Sequence, residues 1–539
     1  MKKAITAALL FALTITLAPQ QIYPQSVAPG QTQVDKASAD KLFRAGRKAF
    51  RKGLYGDAVK HYAAILDLDP INLPARTWLS YCYYKGGDYQ SAFKYAQEVI
   101  EADPKNARAL ALSGAALLRS GFLSPAIRAL NLAFALNPKE PLAHGAAAEI
   151  DYYEGRSEQS IAKAYRAALL DPDEADYLIT IARASSRLEL YAQAAEAYER
   201  FLATSPETDK ERRDRIRGLI DFYRRLAGVI VHEVSGAKYT EVPFKLGADR
   251  RPYIKLKING RDTTFVIDTG SGFTVISKDA AKRLRITEIA RGGNSQGVGG
   301  EGKFPIIYGL LNTIQFGEVK IRNVPCFIRP FHTTADSGND LQADGFIGLS
   351  VLSRFLTELD YKDQVLRLNQ DKSQMAIAVV QEGVTVIPFR TTQNGLISIE
   401  TVLDGAHLIN AILDSGASST VISTAAVDRL NLREKIIKGQ TVRVIGAGGI
   451  SDNVELLFLR HCRVADLRQD NLRALVLDFD AINETAGFEQ SGILGGDFLR
   501  HFKVTIDFTR AQVVFRPYST LIKKVAPEQK NQQSMEDNQ

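Results

Sequence analysis

Two carboxylates set in matching frames are where this chain could do chemistry. Asp268-Thr269-Gly270 follows Thr264-Phe265-Val266-Ile267 and precedes Phe273-Thr274-Val275-Ile276-Ser277. Asp414-Ser415-Gly416 follows Ala411-Ile412-Leu413 and precedes Thr420-Val421-Ile422-Ser423. Two carboxyls brought to about 3 Å cannot both ionise, so one keeps a proton while the other stays charged. One residue type then supplies both roles. The charged member takes a proton from water as it attacks a peptide carbonyl, and the protonated member hydrogen-bonds the carbonyl oxygen and steadies the developing charge. That scheme requires no covalent intermediate, metal or cofactor. Gly270 and Gly416 open backbone conformations closed to residues with a Cβ, which lets the two loops meet closely.

The elements around the triplets are duplicated too. Gly297-Val298-Gly299-Gly300 has its counterpart in Gly446-Ala447-Gly448-Gly449, and Gly345-Phe346-Ile347-Gly348 in Gly492-Ile493-Leu494-Gly495. Leu359-Asp360-Tyr361 likewise corresponds to Ile506-Asp507-Phe508. The triplets stand 146 residues apart, Gly348 and Gly495 are 147 apart, Asp360 and Asp507 147, and Pro243 and Pro388 145. One unit has been copied. On these residues the chain, over roughly 235–518, resembles the aspartic proteases, of both the pepsin-like two-lobed and the retroviral-like type.

The resemblance implies a mostly β bilobal domain with Asp268 and Asp414 as the catalytic pair. It implies that Thr269 and Ser415 bond across the pseudo-two-fold axis to fix the carboxylate spacing, and that Ile347-Gly348 and Leu494-Gly495 pass behind the loops to hold them. Gly297, Gly299 and Gly300, with Gly446, Gly448 and Gly449, are its candidate flaps. After the triplets stand Ser271 and Ala417, the latter the retroviral-like choice, and neither flap carries a tyrosine like that of pepsin. The site therefore looks closer to the retroviral-like kind fused into one chain. Ser271 could hydrogen-bond its aspartate whereas Ala417 could not, so the carboxylates need not be equivalent. The loop from Pro330 to Leu341 has no assigned role.

Upstream the texture changes. Pro70, Pro104, Pro138, Pro172 and Pro206 recur every 34 residues, the tetratricopeptide period. Ala58, Ala92, Ala126 and Ala194 stand twelve residues before four of them, with Ser160 in the remaining repeat, and Gly46 and Gly114 fill a small-residue position in the first helices of repeats one and three. The region resembles five tetratricopeptide repeats over 39–208, each an antiparallel helix pair. Such an array leaves a concave face for a protein partner or substrate. Tyr81, Tyr83, Tyr84, Tyr152 and Tyr153 either line that face or pack between helices. Both aspartates and both flaps lie outside the repeats, so cleavage of short peptides is expected to survive without residues 39–226.

The remaining expectations concern the flanks. The expected division is a signal peptide or N-terminal anchor at 1–18, a flexible linker at 19–38, a capping helix at 209–228, protease lobes at 229–375 and 376–518, and a disordered tail at 519–539. Lys2 and Lys3 ahead of the apolar run Ala4–Ala18 predict export, to a periplasm or the exterior. A length of 539 residues accommodates about three domains. The net charge of +7 is small for this length, and no nucleic-acid module accompanies it. Cys82, Cys326 and Cys462 are odd in number and scattered; His332, His461 and His501 form no metal-ligand spacing. A monomeric exported endopeptidase is the leading reading. An inactive peptide-binding scaffold is the alternative, weakened because both aspartates and both triplet glycines are present.

Overall fold

The computed structural model describes residues 36–297, 299–300, 303–330, 341–374, 383–518 and 522–524. The signal segment, nearly all of the 19–38 linker, Val298, most of the Pro330–Leu341 loop and most of the tail lie outside them. Eleven consecutive helices come first among the described residues: α1 (Lys36–Arg51), α2 (Tyr55–Leu68), α3 (Leu73–Gly86), α4 (Tyr89–Ala102), α5 (Ala107–Arg119), α6 (Leu123–Leu136), α7 (Pro141–Tyr153), α8 (Ser157–Leu170), α9 (Asp176–Arg187), α10 (Tyr191–Thr204) and α11 (Lys210–Leu226). The periodic prolines explain the periodic breaks. A residue before proline is pushed out of helical space, and Asp69, Asp103, Asn137 and Asp171 all leave their helices at φ near −140°. Asn72 and Asn106 then restart the chain, each side chain accepting from the backbone N–H three residues on.

Small residues let the helices of a pair touch. A Cβ on Gly114 would come within 2.8 Å of Leu130, and Ala92 and Ala126 are fully buried. Ser160 meets the same demand by donating its hydroxyl to the Ala148 carbonyl at 2.7 Å. The array also curls on itself. Lys85 of α3 bonds Glu174 at 2.7 Å and Asp176 at 2.5 Å, and Arg212 of α11 reaches Asp176 at 3.0 Å. These bonds fasten α3 to α9, to the turn before it and to α11.

The β region consists of two halves on one plan. In the first, Arg261–Ile267 leads to Asp268 and pairs in parallel with Gly345–Ile347; in the second, His407–Leu413 leads to Asp414 and pairs in parallel with Gly492–Leu494. Each half also projects a hairpin, Thr287–Gln296 with Lys303–Phe316 and Ile436–Gly446 with Gly449–Val464. Leu356–Asp360 pairs antiparallel with Phe502–Asp507, which joins the halves through one sheet. One buried cluster runs through both, from Phe265 and Ile347 to Ile412 and Leu494.

Part of the repeat surface packs against the protease region. Phe488, in the loop before Gly492–Leu494, is 2% exposed and packs in one cluster with Leu117, Tyr152 and Tyr153 of the repeats. The Tyr152 hydroxyl donates to the Gln393 carbonyl at 2.9 Å, and Tyr81 bonds Glu174. These tyrosines therefore serve packing and an internal interface. On the other side α11 lies on the first hairpin: a Cβ on Gly218 would stand 2.2 Å from the Gly292 Cα, and Phe222 stacks on Tyr308 at 4.3 Å.

Candidate active site

The two triplets face each other as mirrored turns. Thr269 Oγ1 donates to the Leu413 carbonyl at 2.8 Å and accepts from the Ser415 N–H at 2.9 Å. Ser415 Oγ donates to the Ile267 carbonyl at 2.7 Å and accepts from the Thr269 N–H at 3.1 Å. Four buried hydrogen bonds thus cross the axis, each worth about 1 kcal/mol and costly to leave half made. They bring the carboxyls of Asp268 and Asp414 together, each against the glycine of the opposite triplet. A Cβ on Gly270 would stand 2.2 Å from Asp414 Cγ, and one on Gly416 2.6 Å from Asp268 Cγ, so only glycine fits either turn.

The strands behind hold the turns by the backbone. Asp268 N–H donates to the Ile347 carbonyl and Asp414 N–H to the Leu494 carbonyl, both at 3.0 Å. Beyond them a Cβ on Gly348 would meet the Phe273 oxygen at 2.2 Å, and one on Gly495 the Ser419 oxygen at 2.5 Å.

The carboxyls are not equivalent. Burial raises both, but Asp268 is pushed well above the usual carboxylate range, next by the charge of Asp414 and by the hydrogen bond it donates to it. Asp414 is raised by burial and held back by the N–H groups of Gly416 at 2.7 Å and Ala417 at 3.1 Å. Asp268 accepts the Gly270 N–H at 2.9 Å. Two backbone N–H groups thus favour ionised Asp414 where one favours ionised Asp268. Ser271 does not make the bond to its aspartate that its type allows; its hydroxyl turns away to the Phe273 carbonyl at 2.8 Å. The asymmetry comes instead from the extra N–H on Asp414.

Over the pair the hairpin tips touch backbone to backbone. A Cβ on Gly297 would meet Ala447 C at 2.5 Å, one on Gly300 the Gly448 oxygen at 2.5 Å, and Gly299 lies against Gly446. Gly449 closes the second tip with φ +132°, a conformation side chains avoid. Arg329, which pattern reading did not single out, links these parts. Its Nη1 donates to the Ala447 carbonyl at 3.1 Å, its guanidinium lies 4.8 Å from the Phe304 ring centre, and its charge favours ionised Asp268. The signal was available in the duplication. Val275 pairs with Phe327 and Val421 with Leu475, which aligns Arg329 with Leu477, a charge facing an apolar residue across the copies. Among the described residues no cluster of His, Cys, Asp and Glu could hold a metal ion, and the three cysteines are free and buried. No helix among them is long and apolar enough to cross a membrane.

Comparison with known proteins matches each half of the β region to one family and the helices to another. The Aspartyl protease family model matches residues 254–351 and 399–498, one segment per triplet, and Tetratricopeptide repeat models match 43–107 and 85–150. The chain is 33% identical over 120 residues to DNA damage-inducible protein 1 of Kluyveromyces lactis, covering 22% of this chain and 26% of that protein. It is 28% identical over 179 residues to DNA damage-inducible protein 1 of Saccharomyces cerevisiae, covering 32% of this chain and 36% of that protein. It thus spans about a quarter to a third of the length of these relatives. Among solved structures, a thermophilic TPR protein of Thermus thermophilus aligns at 18% identity over 35% of this chain and all of that one, with a TM-score of 0.29. In its C-terminal part the chain is an aspartyl protease domain, preceded by tetratricopeptide repeats.

Proposed function

We propose that the chain is an aspartic endopeptidase whose nucleophile is a water activated between Asp268 and Asp414. The observation that carries this reading is the cross-axis lattice of Thr269 and Ser415, which holds two half-buried carboxyls each against the opposite triplet's glycine. Asp414, charged, takes a proton from the water as its oxygen adds to the peptide carbonyl. Asp268, protonated, donates to the carbonyl oxygen as charge gathers there, and the leaving amine then collects a proton from the pair. The tips must part to admit substrate and close to exclude bulk water. Both carboxyls come from one chain, which supports a monomeric protease unit. Export is supported by Lys2, Lys3 and the apolar run after them, and the repeats supply outer helix surfaces for a protein partner.

The test is a digest of proteome-derived peptides read by mass spectrometry, comparing the full chain with Asp268→Asn. Cleavages present with the wild type and absent with the variant support the reading, as does their block by a statine-type peptide but not by chelators. Identical cleavage patterns overturn it and favour a peptide-binding scaffold.

A further inference from the structure

The sequence treats repeats and protease as separable; the packing does not. The chain enters the strand behind Asp414 through Ala486-Gly487-Phe488-Glu489-Gln490, and the repeats hold the middle three residues of that approach. Arg119, at the end of α5, donates Nη1 to the Gly487 carbonyl at 2.9 Å, and its own carbonyl accepts the Glu489 N–H at 2.9 Å. Tyr153, at the end of α7, donates its hydroxyl to the same Gly487 carbonyl at 3.2 Å. Between these bonds the Phe488 ring enters the repeat core, 5.0 Å from Tyr153 centre to centre. Asn410, in the strand leading to Asp414, donates Nδ2 both to the Gly121 carbonyl at 3.1 Å and to the Glu489 carbonyl at 3.2 Å. A Cβ on Gly121 would stand 2.5 Å from that nitrogen, so the repeat turn abuts the strand with no slack.

The far end of this grip is the catalytic turn. Ser491 N–H donates to the Asn410 carbonyl at 2.9 Å, Gly492–Leu494 runs beside Ala411–Leu413 in parallel register, and the Leu494 carbonyl holds Asp414 N–H at 3.0 Å. Three residues separate Gln490 from Leu494, all in extended or paired backbone, so a shift of the loop carries along the strand. Side chains at both ends of the repeat contact are fixed as well: Arg119 is paired with Glu149 at 2.6 Å, and Gln490 is fully buried, accepting from the Ser398 hydroxyl at 2.9 Å.

From this geometry we infer that Phe488, seated in the repeat core, is a positioning residue for Asp414, so that the repeats complete the second half of the active site. The inference rests on the two-aspartate reading above. Loss of the anchor releases the loop, lets the backing strand drift, and moves the Asp414 carboxyl relative to Asp268. Misplacement on the order of 1 Å costs about a hundredfold in rate, and a partial shift costs less.

The experiment measures hydrolysis of one short peptide by the full chain across pH, for wild type, Phe488→Ala, Phe488→Leu, Tyr153→Phe and Asp414→Asn, each checked for folding by circular dichroism. The expected result is a fall in kcat of roughly tenfold for Phe488→Ala, with KM within about twofold. The pH limits of kcat should also move, because the carboxyl contact that splits the titrations is loosened. Phe488→Leu should restore most of the rate. If Phe488→Ala fails to fold, Tyr153→Phe, which deletes one hydroxyl, carries the test with a smaller fall in kcat and the same displaced pH limits. Wild-type kcat and an unmoved profile in the folded variants would overturn the inference. Failure of the underlying reading looks different: Asp414→Asn would then keep its activity.

Discussion

The two halves of the protease region place their carboxyls with the same backbone bonds, yet the repeats hold each half at a different point. In the first half the grip is on the flap. Thr287–Gln296 runs under α11, with Gly292 buried against Gly218 and Tyr308 stacked on Phe222. The matching strand of the second half, Ile436–Gly446, is exposed over residues 438–441. There the grip is behind the aspartate, through Phe488. The comparison teaches that a duplicated unit becomes asymmetric through its surroundings. One flap is braced by α11 and the other is exposed along its outer strand, while Asp414 is the carboxyl whose backing strand is anchored.

Where the halves are alike, damage to either should be equally severe. Gly348→Ala and Gly495→Ala each drive a Cβ into a carbonyl oxygen of the loop in front, at 2.2 and 2.5 Å. Both should lose about 3 kcal/mol or more in urea unfolding. A pair differing by most of that amount would break the symmetry. Next come the cross-axis hydroxyls. Thr269→Val strands the Ser415 N–H and the Leu413 carbonyl, and Ser415→Ala strands the Thr269 N–H and the Ile267 carbonyl. Each should cost about 2 kcal/mol in the same assay.

Where the halves differ, the effects should be smaller and one-sided. Gly218→Leu pushes α11 off the first flap, so KM for a short peptide should rise several-fold while kcat changes little. An unchanged KM would mean that the brace does not reach the substrate. The mildest change is Arg329→Met. The guanidinium favours ionised Asp268, so without it the shared proton is held to higher pH and the alkaline limit of kcat moves upward. A downward shift would show that the Arg329 charge does not favour the ionised carboxyl.

How much of this could be read in the sequence follows from the range of each interaction. The prolines before each break, the small residues at the helix contacts and the duplicated triplets carry local rules, and local rules repeat visibly along a chain. Phe488 and Tyr153 meet across more than three hundred positions, and Gly218 meets Gly292 with no motif on either side. Docking of that kind has no period, so nothing along the chain ties the repeats to the protease. Arg329 lay between these cases. It stands out only when the halves are aligned strand by strand and found to disagree at Leu477.

The measurement that bears most directly on the central claim is short-peptide hydrolysis by the full chain carrying Asp268→Asn, Asp414→Asn and both together. Two carboxyls sharing one proton act as a unit, so each single change should abolish turnover in a folded protein and the double change should add nothing. Near wild-type turnover in either folded single variant, once contaminating proteases are excluded, would contradict the account.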